Sequence, residues 1–569
     1  MTRPAPSGQD APSTVGRYLA SRFEQLGLRH YFAVPGDFNL ILLDELLTNP
    51  RVAMIGCCNE LNAGYAADGY ARANGLAAVV LTFGVGGLSA LNAVACAYAE
   101  DLPILVVVGG INSGSAAQGH LIHHTLGEIR YDYHRKIFAE VTAGVFPVDR
   151  PEDAPAQIDR AIETALRRRK PVLLEIACNV AGLPVPAPQA RSFESAGSGD
   201  PSALADAVAH VAAILDGADR PVLVGGSKLR LPGVSGAFRA LADASGYGVS
   251  VMPGGKGMFP EDHPGFLGLY WGSVGWPGVA EAVESSGAAL LVGTLLSDYA
   301  TVGFTADLDP GRTILAMPDE IRTRDAVFTG VNLADFLAAL GTKVRRNEAS
   351  RRRSGELGFV SPSPEPAPTN EQLSISDVAR QVKSALDANS ALLVETGDSW
   401  FHGLETRLPA GCRFEIQFQA GSIGWSVPAA LGYELGSSGS RRVITMVGDG
   451  SFQLTAQEVS TMIRYGMRPI LILVNNHGYI IEDAIHKGPY NKIKNWDYAG
   501  LMAIFTNGEG AGLGLRAKTP GELSSALGRA RDHAGPCLIE VEIAPDDCSP
   551  TMKEWGVRVA AANRRPAPA

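Results

Sequence analysis

The chain has 569 residues, of which 46% are hydrophobic and 19% are charged, and its formal net charge at pH 7 is −10. This length exceeds what one hydrophobic core supports, and the apolar content excludes an intrinsically disordered chain. The acidic balance excludes the basic surface of a nucleic-acid binder or of a polybasic membrane binder. The low charged fraction indicates that a partner covers part of the surface.

The seven cysteines are scattered, and none of them belongs to a CxxC pair, so neither a disulfide framework nor a zinc site is predicted. The N-terminal stretch MTRPAPSGQDAPST is polar and has no apolar core of the kind that secretory signals carry. No uninterrupted apolar stretch approaches the roughly 18 residues that cross a bilayer. We therefore expect a cytoplasmic protein.

Apolar runs of strand length alternate along the chain with segments of helix length. Apolar residues at helical spacing from Val15 to Leu26 precede the strand-like run HYFAV. Later runs that predict buried strands are, in chain order, VAMI, AAVVLTF, PILVVVGG, PVLVGG, AALLVGT, ALLVET, RRVITMVGDG and PILILVNN. We expect a helix from about Leu454 to Arg464 between the last two runs. This alternation is typical of α/β folds with parallel sheets.

Two segments without apolar periodicity divide the chain. Residues 181–201 are rich in Pro, Ala, Ser and Gly, and residues 345–369 combine a basic cluster with a proline-rich run. Both are typical of linkers, and they leave three blocks of roughly 180, 150 and 200 residues, each of domain size. The predicted domains span residues 1–182, 183–362 and 363–569.

Polar residues cluster where the predicted strands end. Open parallel sheets bind ligands beyond the carboxyl ends of their strands, so these clusters are candidates for a functional site. In the first block they are Asp37, Glu60 and the pair His123-His124. In the third block they are Thr396-Gly397-Asp398, Gly448-Asp449-Gly450-Ser451, and Asn475-Asn476 with Gly478.

The most specific pattern is Gly448-Asp449-Gly450, followed after 24 residues by Asn475-Asn476. Asp449 supplies an anionic oxygen and Asn476 an amide oxygen, and Mg²⁺ typically combines a few protein oxygens with those of phosphate and water. The glycines let the backbone approach a metal or a phosphate, and a helix starting after Ser451 would point its N-terminus at the anion. The simpler alternative is a tight turn and an unrelated loop, but chance gives both motifs at this spacing in on the order of one chain in several hundred.

This spacing is the signature of thiamine-diphosphate-dependent enzymes, and the chain resembles that family from about residue 13 to residue 555. The match is closer still to its 2-oxo acid decarboxylases of the pyruvate decarboxylase type. The motifs that carry it are VPGDFNL (34–40), CCNELNAGYAADGYAR (57–72), GHLIHHTLG (119–127), ETGDSWF (395–401), GSIGWSVPAALGY (421–433), GDGSFQLTAQE (448–458) and NNHGYIIEDAIHKGPYNKIKNWDYAGL (475–501).

The resemblance implies a thiamine-diphosphate-binding fold of three α/β domains, each with a parallel sheet flanked by helices. These would be an N-terminal pyrimidine-binding domain, a middle domain and a C-terminal diphosphate- and Mg-binding domain. It implies thiamine diphosphate and Mg²⁺ as cofactors, with Asp449, Asn476 and the carbonyl of Gly478 as the protein ligands of the metal. Positions that match cofactor contacts are Thr396, Gly421, Ile423, Gly450 and Ser451. Ile423 looks like the bulky residue that keeps the cofactor bent, although ordinary core packing also accounts for it.

The resemblance also implies catalytic roles for five residues. Glu60 looks like the glutamate that faces the aminopyrimidine of the cofactor; taken alone, it reads as an acid favoured by a helix N-terminus. Candidate proton donors and acceptors are Asp37, His123, His124 and Glu482. Taken singly, these four read as a helix cap, two surface histidines and an exposed helical acid. Which residue exchanges which proton stays open.

By the same resemblance, the residues that shape the substrate side of the pocket would be Trp400, Ile481 and Ile485. Bulky side chains at these positions favour pyruvate, which would give acetaldehyde and CO₂ through the ylid of the cofactor. Ala484 departs from the pattern expected beside the catalytic acid and could widen the site. This keeps a decarboxylase of larger 2-oxo acids (phenylpyruvate, indolepyruvate or a branched-chain acid) and a carboligase as alternatives.

The resemblance also implies self-association of the chain. Glu60 and Asp449 fall in different predicted domains, and the resemblance implies that they meet across a subunit interface. A homodimer would then be the smallest active unit, and a tetramer that is a dimer of dimers is expected. A catalytically silent cofactor-binding protein is the alternative from another class, but Glu60, both histidines and Glu482 are all present.

Overall fold

The computed structural model describes residues 13–193, 199–352 and 372–564. Its strands form sheets of six, seven and six strands and one two-stranded pair, and helices flank the three large sheets. The predicted α/β class is confirmed. The chain divides into two compact units, the first made of Met1–Ala196, Pro428–Ser440 and Gln457–Met462, the second of Gly197–Val427, Arg441–Ala456 and Ile463–Ala569.

The first unit contains a six-stranded parallel sheet in the order β3-β2-β4-β5-β7-β6 and an antiparallel pair, β1 with β8. The strands are β1 (Ser13–Thr14), β2 (His30–Ala33), β3 (Ala53–Gly56), β4 (Ala77–Thr82), β5 (Ile104–Gly110), β6 (Val145–Val148), β7 (Val172–Ala177) and β8 (Pro184–Val185). The helices are α1 (Val15–Gln25), α2 (Leu40–Leu47), α3 (Glu60–Asn74), α4 (Val85–Ala99), α5 (Ser113–Ala117), α6 (Tyr133–Ala139) and α7 (Ala154–Arg168).

Helix α3 is rich in alanine and glycine because the segment Pro428–Ser440 crosses it at backbone distance. A Cβ at Gly69 would lie 2.1 Å from the carbonyl oxygen of Ala429, and a Cβ at Gly432 would lie 1.8 Å from that of Ala66. Side chains at either glycine would force the two backbones apart. The helix begins at Glu60, directly after the cap residue Asn59, whose side chain accepts a hydrogen bond from the backbone N–H of Asn62.

The second unit contains a seven-stranded sheet in the order β11-β10-β9-β12-β13-β14-β15. Its first five strands are parallel and its last two are antiparallel. The strands are β9 (Pro221–Gly225), β10 (Gly248–Val251), β11 (Phe266–Leu269), β12 (Ala288–Val292), β13 (Thr313–Met317), β14 (Glu320–Arg322) and β15 (Val327–Thr329). The helices are α8 (Pro201–Gly217), α9 (Val234–Ser245), α10 (Val279–Glu284) and α11 (Leu333–Gly341). The antiparallel edge was not predicted, because β14 and β15 are three residues long and carry no apolar run.

The second unit also contains a six-stranded parallel sheet in the order β17-β16-β18-β19-β21-β20. The strands are β16 (Ser390–Val394), β17 (Arg413–Ile416), β18 (Arg442–Gly448), β19 (Ile470–Asn475), β20 (Leu513–Ala517) and β21 (Cys537–Glu542). The helices in this part of the chain are α12 (Ile375–Ala385), α13 (Asp398–Glu405), α14 (Ser426–Gly436), α15 (Asp449–Thr455), α16 (Glu458–Arg464), α17 (Ile480–Ile485), α18 (Tyr498–Thr506), α19 (Pro520–Asp532) and α20 (Pro550–Asn563). The central strands β16 and β19 are buried along their whole length, as expected for a sheet covered on both faces.

The structure bears on the helix predicted from about Leu454 to Arg464 and on the two predicted linkers. The helix expected from about Leu454 to Arg464 is wrong in its bounds, because α15 ends at Thr455 and α16 begins at Glu458. Most of the predicted linker 345–369 lies outside the described residues, and so do residues 194–198 of the linker 181–201. The domain boundaries at residues 182 and 362 stay predictions. In the part of the chain that is described, no helix has the length and apolar character needed to span a membrane.

Candidate active site

A pocket of about 270 Å³ opens in the second unit where β16, β18 and β19 end. This is the edge of a parallel sheet at which ligands bind. Nine of the site residues that the family resemblance names line it: Thr396, Ile423, Asp449, Gly450, Ser451, Asn476, Gly478, Ile481 and Glu482. Of those it names in the second unit, Trp400, Gly421 and Ile485 are not among the lining residues.

Three oxygen-bearing groups converge in this pocket. Asp449 is fully buried, and its Oδ1 accepts a hydrogen bond from the backbone N–H of Gly450 at 2.8 Å. The side-chain amide of Asn476 faces two acceptors, the carbonyl oxygen of Gly478 at 3.0 Å and Asp449 Oδ1 at 3.2 Å. Asp449 Oδ2 is buried and has no hydrogen-bond partner among the described residues. The cluster can therefore accept a cation.

The electrostatics of Asp449 agree with that interpretation. Burial raises the pKa of its carboxyl to about 6, although backbone N–H groups that include that of Gly450 act in the opposite direction. Burying a carboxylate is costly, the charge of His477 offsets that cost only in part, and a bound cation would reduce it further. The site therefore has the character of a metal centre.

The glycines of this pocket are required by close neighbours. A Cβ at Gly450 would lie 2.4 Å from the ring of Tyr479, and a Cβ at Gly478 would lie 2.4 Å from the carbonyl oxygen of Asn491. His477, which directly precedes Gly478, has a left-handed backbone conformation with φ of 66°. The loop after β19 is thus folded tightly enough to bring the backbone carbonyl of Gly478 to the side chain of Asn476.

Glu395, which follows β16, supports the same edge of the sheet. It is fully buried and accepts backbone hydrogen bonds from Thr396 and Ser426, both at 2.9 Å. Burial raises the pKa of the Glu395 carboxyl to about 7. The sequence analysis did not single it out, although it lies in the quoted motif ETGDSWF.

Asp398, the first residue of α13, lines the pocket but is engaged with other protein groups. Its carboxylate accepts hydrogen bonds from the backbone N–H of Ser549, at 2.9 Å, and from the hydroxyl of that serine. His402 Nε2 lies 3.5 Å from Asp398 Oδ2. Burial acts to raise the pKa of Asp398, but the neighbouring His402 and Ser549 outweigh it and leave the pKa lowered.

Helix α17 brings Ile481 and Glu482 to the pocket. Burial, and next the charge of Glu482, raise the pKa of Tyr299, which identifies a phenol close to that carboxylate. The sequence analysis did not single out Tyr299, because none of the quoted motifs includes it. Ala484 packs against Gly556 and is not among the lining residues of the pocket, so the structure gives no sign that it widens the site.

Trp400 and Gly421 contact each other beside Tyr299. A Cβ at Gly421 would lie 3.2 Å from the indole of Trp400 and 3.6 Å from the ring of Tyr299. Trp400 is fully buried, and Gly421 has a φ of 59°. Their predicted roles at the substrate and the cofactor stay predictions.

The first unit brings Asp37, His123 and His124 together. His123 Nε2 lies 2.8 Å from Asp37 Oδ2, and the two histidine ring centres are 4.6 Å apart. His123 stacks on Phe38 with ring centres 4.7 Å apart. The side chains of His123 and Asp37 are 59% and 53% exposed, so both reach solvent. One ligand atom from each of the three residues lies within 4.8 Å of the others, so the group could also hold a metal ion.

Glu60, the first residue of α3, lies beside Gly86. A Cβ at Gly86 would come within 3.4 Å of Glu60 Oε1. In the same unit, the fully buried Glu458 accepts hydrogen bonds from Asn62 Nδ2 at 2.8 Å and from the backbone N–H of Cys58 at 3.2 Å. These bonds fix the start of α3, and with it the position of Glu60. Sequence analysis missed Glu458, since it lies four hundred positions from Cys58.

Comparison with known proteins gives matches along the chain. The family model "Thiamine pyrophosphate enzyme, N-terminal TPP binding domain" matches residues 13–132, the central-domain model matches residues 208–350, and the C-terminal TPP-binding-domain model matches residues 400–541. The chain is 44% identical to "Pyruvate decarboxylase 1" of Zea mays, over 99% of this chain and 92% of that protein. It is 45% identical to "Pyruvate decarboxylase 2" of Oryza sativa subsp. indica and 44% identical to "Pyruvate decarboxylase 4" of Arabidopsis thaliana, in both cases over 99% of this chain and 94% of that protein.

Proposed function

The chain belongs to the thiamine pyrophosphate enzyme family, and from this membership we propose that it decarboxylates pyruvate without oxidation, releasing acetaldehyde and CO₂. The observation that carries the proposal is the identity of 44% to a protein named pyruvate decarboxylase over almost the full length of both chains. The pocket at the end of β18 and β19 supports it, because the oxygen groups and glycines expected of a diphosphate and metal site lie together there.

The oxygen groups of this pocket suit Mg²⁺, which typically takes a few oxygens from protein and the rest from phosphate and water. The side chain of Asn476 lies 3.0 Å from Gly478 O and 3.2 Å from Asp449 Oδ1. We therefore assign Asp449, Asn476 and the carbonyl of Gly478 as the residues that would hold the ion.

Thiamine diphosphate, when bound, supplies the electron sink that decarboxylation of a 2-oxo acid requires. On this chain, Thr396, Gly450 and Ser451 line the pocket beside the metal ligands and would bind the diphosphate end. Ile423 would support the cofactor from its apolar side. Glu60 is proposed to hold a proton at the pyrimidine of the cofactor. Gly421 is proposed as a further residue that contacts the cofactor.

The proton exchanges of the reaction are assigned to Asp37, His123, His124 and Glu482. The bond of 2.8 Å between Asp37 Oδ2 and His123 Nε2 lets these two groups share a proton, and their exposure connects them to solvent. Glu482 lies at the pocket wall beside the apolar side chain of Ile481. An apolar wall disfavours a charged carboxylate and favours loss of CO₂.

Pyruvate is preferred over larger 2-oxo acids in this proposal. Ile481 lines the pocket, with Ile480 next to it, and Ala484 is directed at Gly556. Trp400 and Ile485 do not line the pocket, and they are proposed to limit the size of the substrate by packing behind the residues that do. A preference for phenylpyruvate, indolepyruvate or a branched-chain acid, or efficient carboligation, is the alternative outcome.

The experiment is a coupled assay with an aldehyde reductase and NADH, run on a panel of 2-oxo acids. We expect the highest kcat/KM for pyruvate, and activity that disappears when thiamine diphosphate and Mg²⁺ are removed and returns when both are restored. A higher kcat/KM for indolepyruvate would overturn the substrate assignment. Turnover that does not depend on the cofactor would overturn the reaction itself.

Self-association and location are also part of the proposal. A homodimer at least, and a tetramer as a dimer of dimers, follows from the family if Glu60 and Asp449 of different subunits form one site. Light scattering on the purified protein tests the mass of the assembly. The seven free cysteines are compatible with a reducing compartment, and we propose a cytoplasmic location, which cell fractionation tests.

A further inference from the structure

The C-terminal helix α20 packs on the short helix α17, and the two backbones approach each other closely at Gly556. A Cβ built at Gly556 would lie 2.8 Å from the carbonyl carbon, the carbonyl oxygen and the Cβ of Ala484. Gly556 is at the middle of α20, where glycine costs about 1 kcal/mol relative to alanine in helix propensity. The close approach of the two helices accounts for glycine at this position.

Helix α17 carries the pocket residues Ile481 and Glu482. Ala484 is two positions after Glu482, so a displacement at Ala484 moves the carboxylate as well. None of the six residues of α17 is fully buried, but Ile480, Ile481, Ala484 and Ile485 are partly buried and pack against the hydrophobic core. The short distance from α17 to α20 requires that position 556 carry no side chain.

Helix α20, in contrast, is held firmly at its start. Its cap residue Ser549 donates through its backbone N–H and its hydroxyl to Asp398, and Thr551 Oγ1 donates to Glu405 Oε1 at 2.7 Å. Trp555 is fully buried one position before Gly556. Later in the helix, a Cβ at Gly303 would lie 2.6 Å from the carbonyl oxygen of Arg558, so this side is also closely packed. A side chain added at Gly556 would therefore displace α17 rather than α20.

We propose that Gly556 and Ala484 are positioning residues that set the place of Glu482 in the pocket. Their small size lets α20 approach α17 closely enough to hold Ile481 and Glu482 at the pocket wall. The proposal rests on the proposed function, in that Glu482 takes part in the proton exchanges of decarboxylation. The metal ligand Asp449, at the end of β18, lies outside this contact.

The test compares Gly556→Ala with Gly528→Ala. Gly528 lies in the middle of α19, where an added Cβ meets no atom within 4 Å, so it is a matched helical control. We expect Gly556→Ala to lower kcat/KM for pyruvate at least tenfold and to shift the pH profile of kcat, while Gly528→Ala stays within twofold of the wild type with the same profile. The affinity for thiamine diphosphate with Mg²⁺, followed by tryptophan fluorescence, should change less than threefold in both variants.

A second variant keeps the test decisive if Gly556→Ala does not fold. Ala484→Gly adds no atom, and we expect it to lower kcat about threefold by loosening the contact, and to restore part of the activity when combined with Gly556→Ala. Wild-type activity in Gly556→Ala, or wild-type activity in Ala484→Gly when Gly556→Ala is unfolded, would overturn the positioning role. A wild-type protein that turns over no 2-oxo acid would overturn the proposed function, which is a separate outcome.

Discussion

The two six-stranded sheets have the same strand order but different chemistry at their carboxyl ends. Numbered from one within each sheet, both run 2-1-3-4-6-5. In each, a Gly-Asp pair follows the first strand, and the aspartate is four residues beyond the strand end: Asp37 after β2 and Asp398 after β16. Each aspartate has a histidine neighbour, His123 for Asp37 and His402 for Asp398.

Burial separates these two pairs. The side chains of Asp37 and His123 are more than half exposed, whereas those of Asp398 and His402 are 8% and 7% exposed. Asp398 also accepts hydrogen bonds from Ser549 and so ties the start of α20 to α13. The same position in a repeated topology thus holds an exposed Asp–His pair, proposed for proton exchange, in one sheet and an enclosed pair that supports the structure in the other.

The largest effects are expected at Glu60 and Asp449, the two residues proposed to act in one site. Glu60→Gln should lower kcat about 1,000-fold without altering the fold, since it removes the carboxylate proposed to face the pyrimidine. Asp449→Asn should be equally inactive, because it removes the anionic ligand proposed for the metal.

Mixing these two inactive variants tests whether the halves come from different subunits. A heterodimer then contains one site with both substitutions and one with neither, so random reassociation should restore about a quarter of the wild-type activity. Activity is measured after dissociation and reassociation of an equimolar mixture, with each variant alone as the control. No recovery, with light scattering showing mixed dimers, would contradict a shared site.

The next effect concerns the two aspartates directly. Asp398→Asn should lower the free energy of unfolding by about 2 to 4 kcal/mol, because the buried His402 and Ser549 lose their charged partner. Asp37→Asn should change it by less than about 0.5 kcal/mol, since that pair is exposed, and should instead lower kcat/KM at least 100-fold. Urea unfolding and the coupled assay on both variants measure these opposite outcomes. Similar losses of stability in both would remove the distinction between the pairs.

The smallest effect is the pH dependence that His402 contributes to stability. Burial lowers the pKa of His402, but the charge of Asp398, with smaller contributions from Glu405 and Asp547, outweighs it and leaves the pKa raised. A raised folded-state pKa stabilises fully below the unfolded value of about 6.5 and loses this effect as the pH rises through the folded value. The lowered pKa of Asp398 acts in the opposite sense, stabilising above about pH 4 and failing in acid.

His402→Asn isolates the contribution of the histidine. The difference in unfolding free energy between wild type and variant should be largest between about pH 4 and 6.5 and should decrease at higher pH. Urea titrations at several pH values measure it, and His263→Asn in the middle of the chain is a control, since His263 pairs with a largely exposed Asp243. A difference that grows towards alkaline pH would contradict the assigned sign.

Much of the architecture and part of the site could be predicted from sequence. Buried parallel strands are continuous apolar runs, and loops at their ends carry the polar residues, so β4, β5, β18 and β19 and the cluster at Asp449 were identifiable. The hairpin of β14 and β15 has no such runs, because edge strands need no fully apolar sequence. The break between α15 and α16 was missed for a different reason, because apolar residues continue at helical spacing across it.

Other parts of the site depend on distant contacts that no local pattern reveals. Glu458 accepts hydrogen bonds from Asn62 and Cys58, which lie about four hundred positions away in the sequence. Tyr299, whose pKa the charge of Glu482 helps to raise, lies in a different third of the chain from that glutamate. Gly556 is an unremarkable glycine in the sequence, and its contact with Ala484 emerges only from tertiary packing. The family resemblance also named Trp400, Gly421 and Ile485 as site residues, but these three are not among the residues that line the pocket.

The crossing of α3 with Pro428–Ser440 limits how this protein can be engineered for heat tolerance. Replacing helical glycines with alanine is a common route to thermostable variants, because it reduces the freedom of the unfolded chain. At Gly69 and Gly432 a single methyl group would collide with a backbone carbonyl, so that route is closed there, whereas Gly236 in α9 has open space around it. Libraries for industrial use should therefore randomise the outer helices and leave this contact intact.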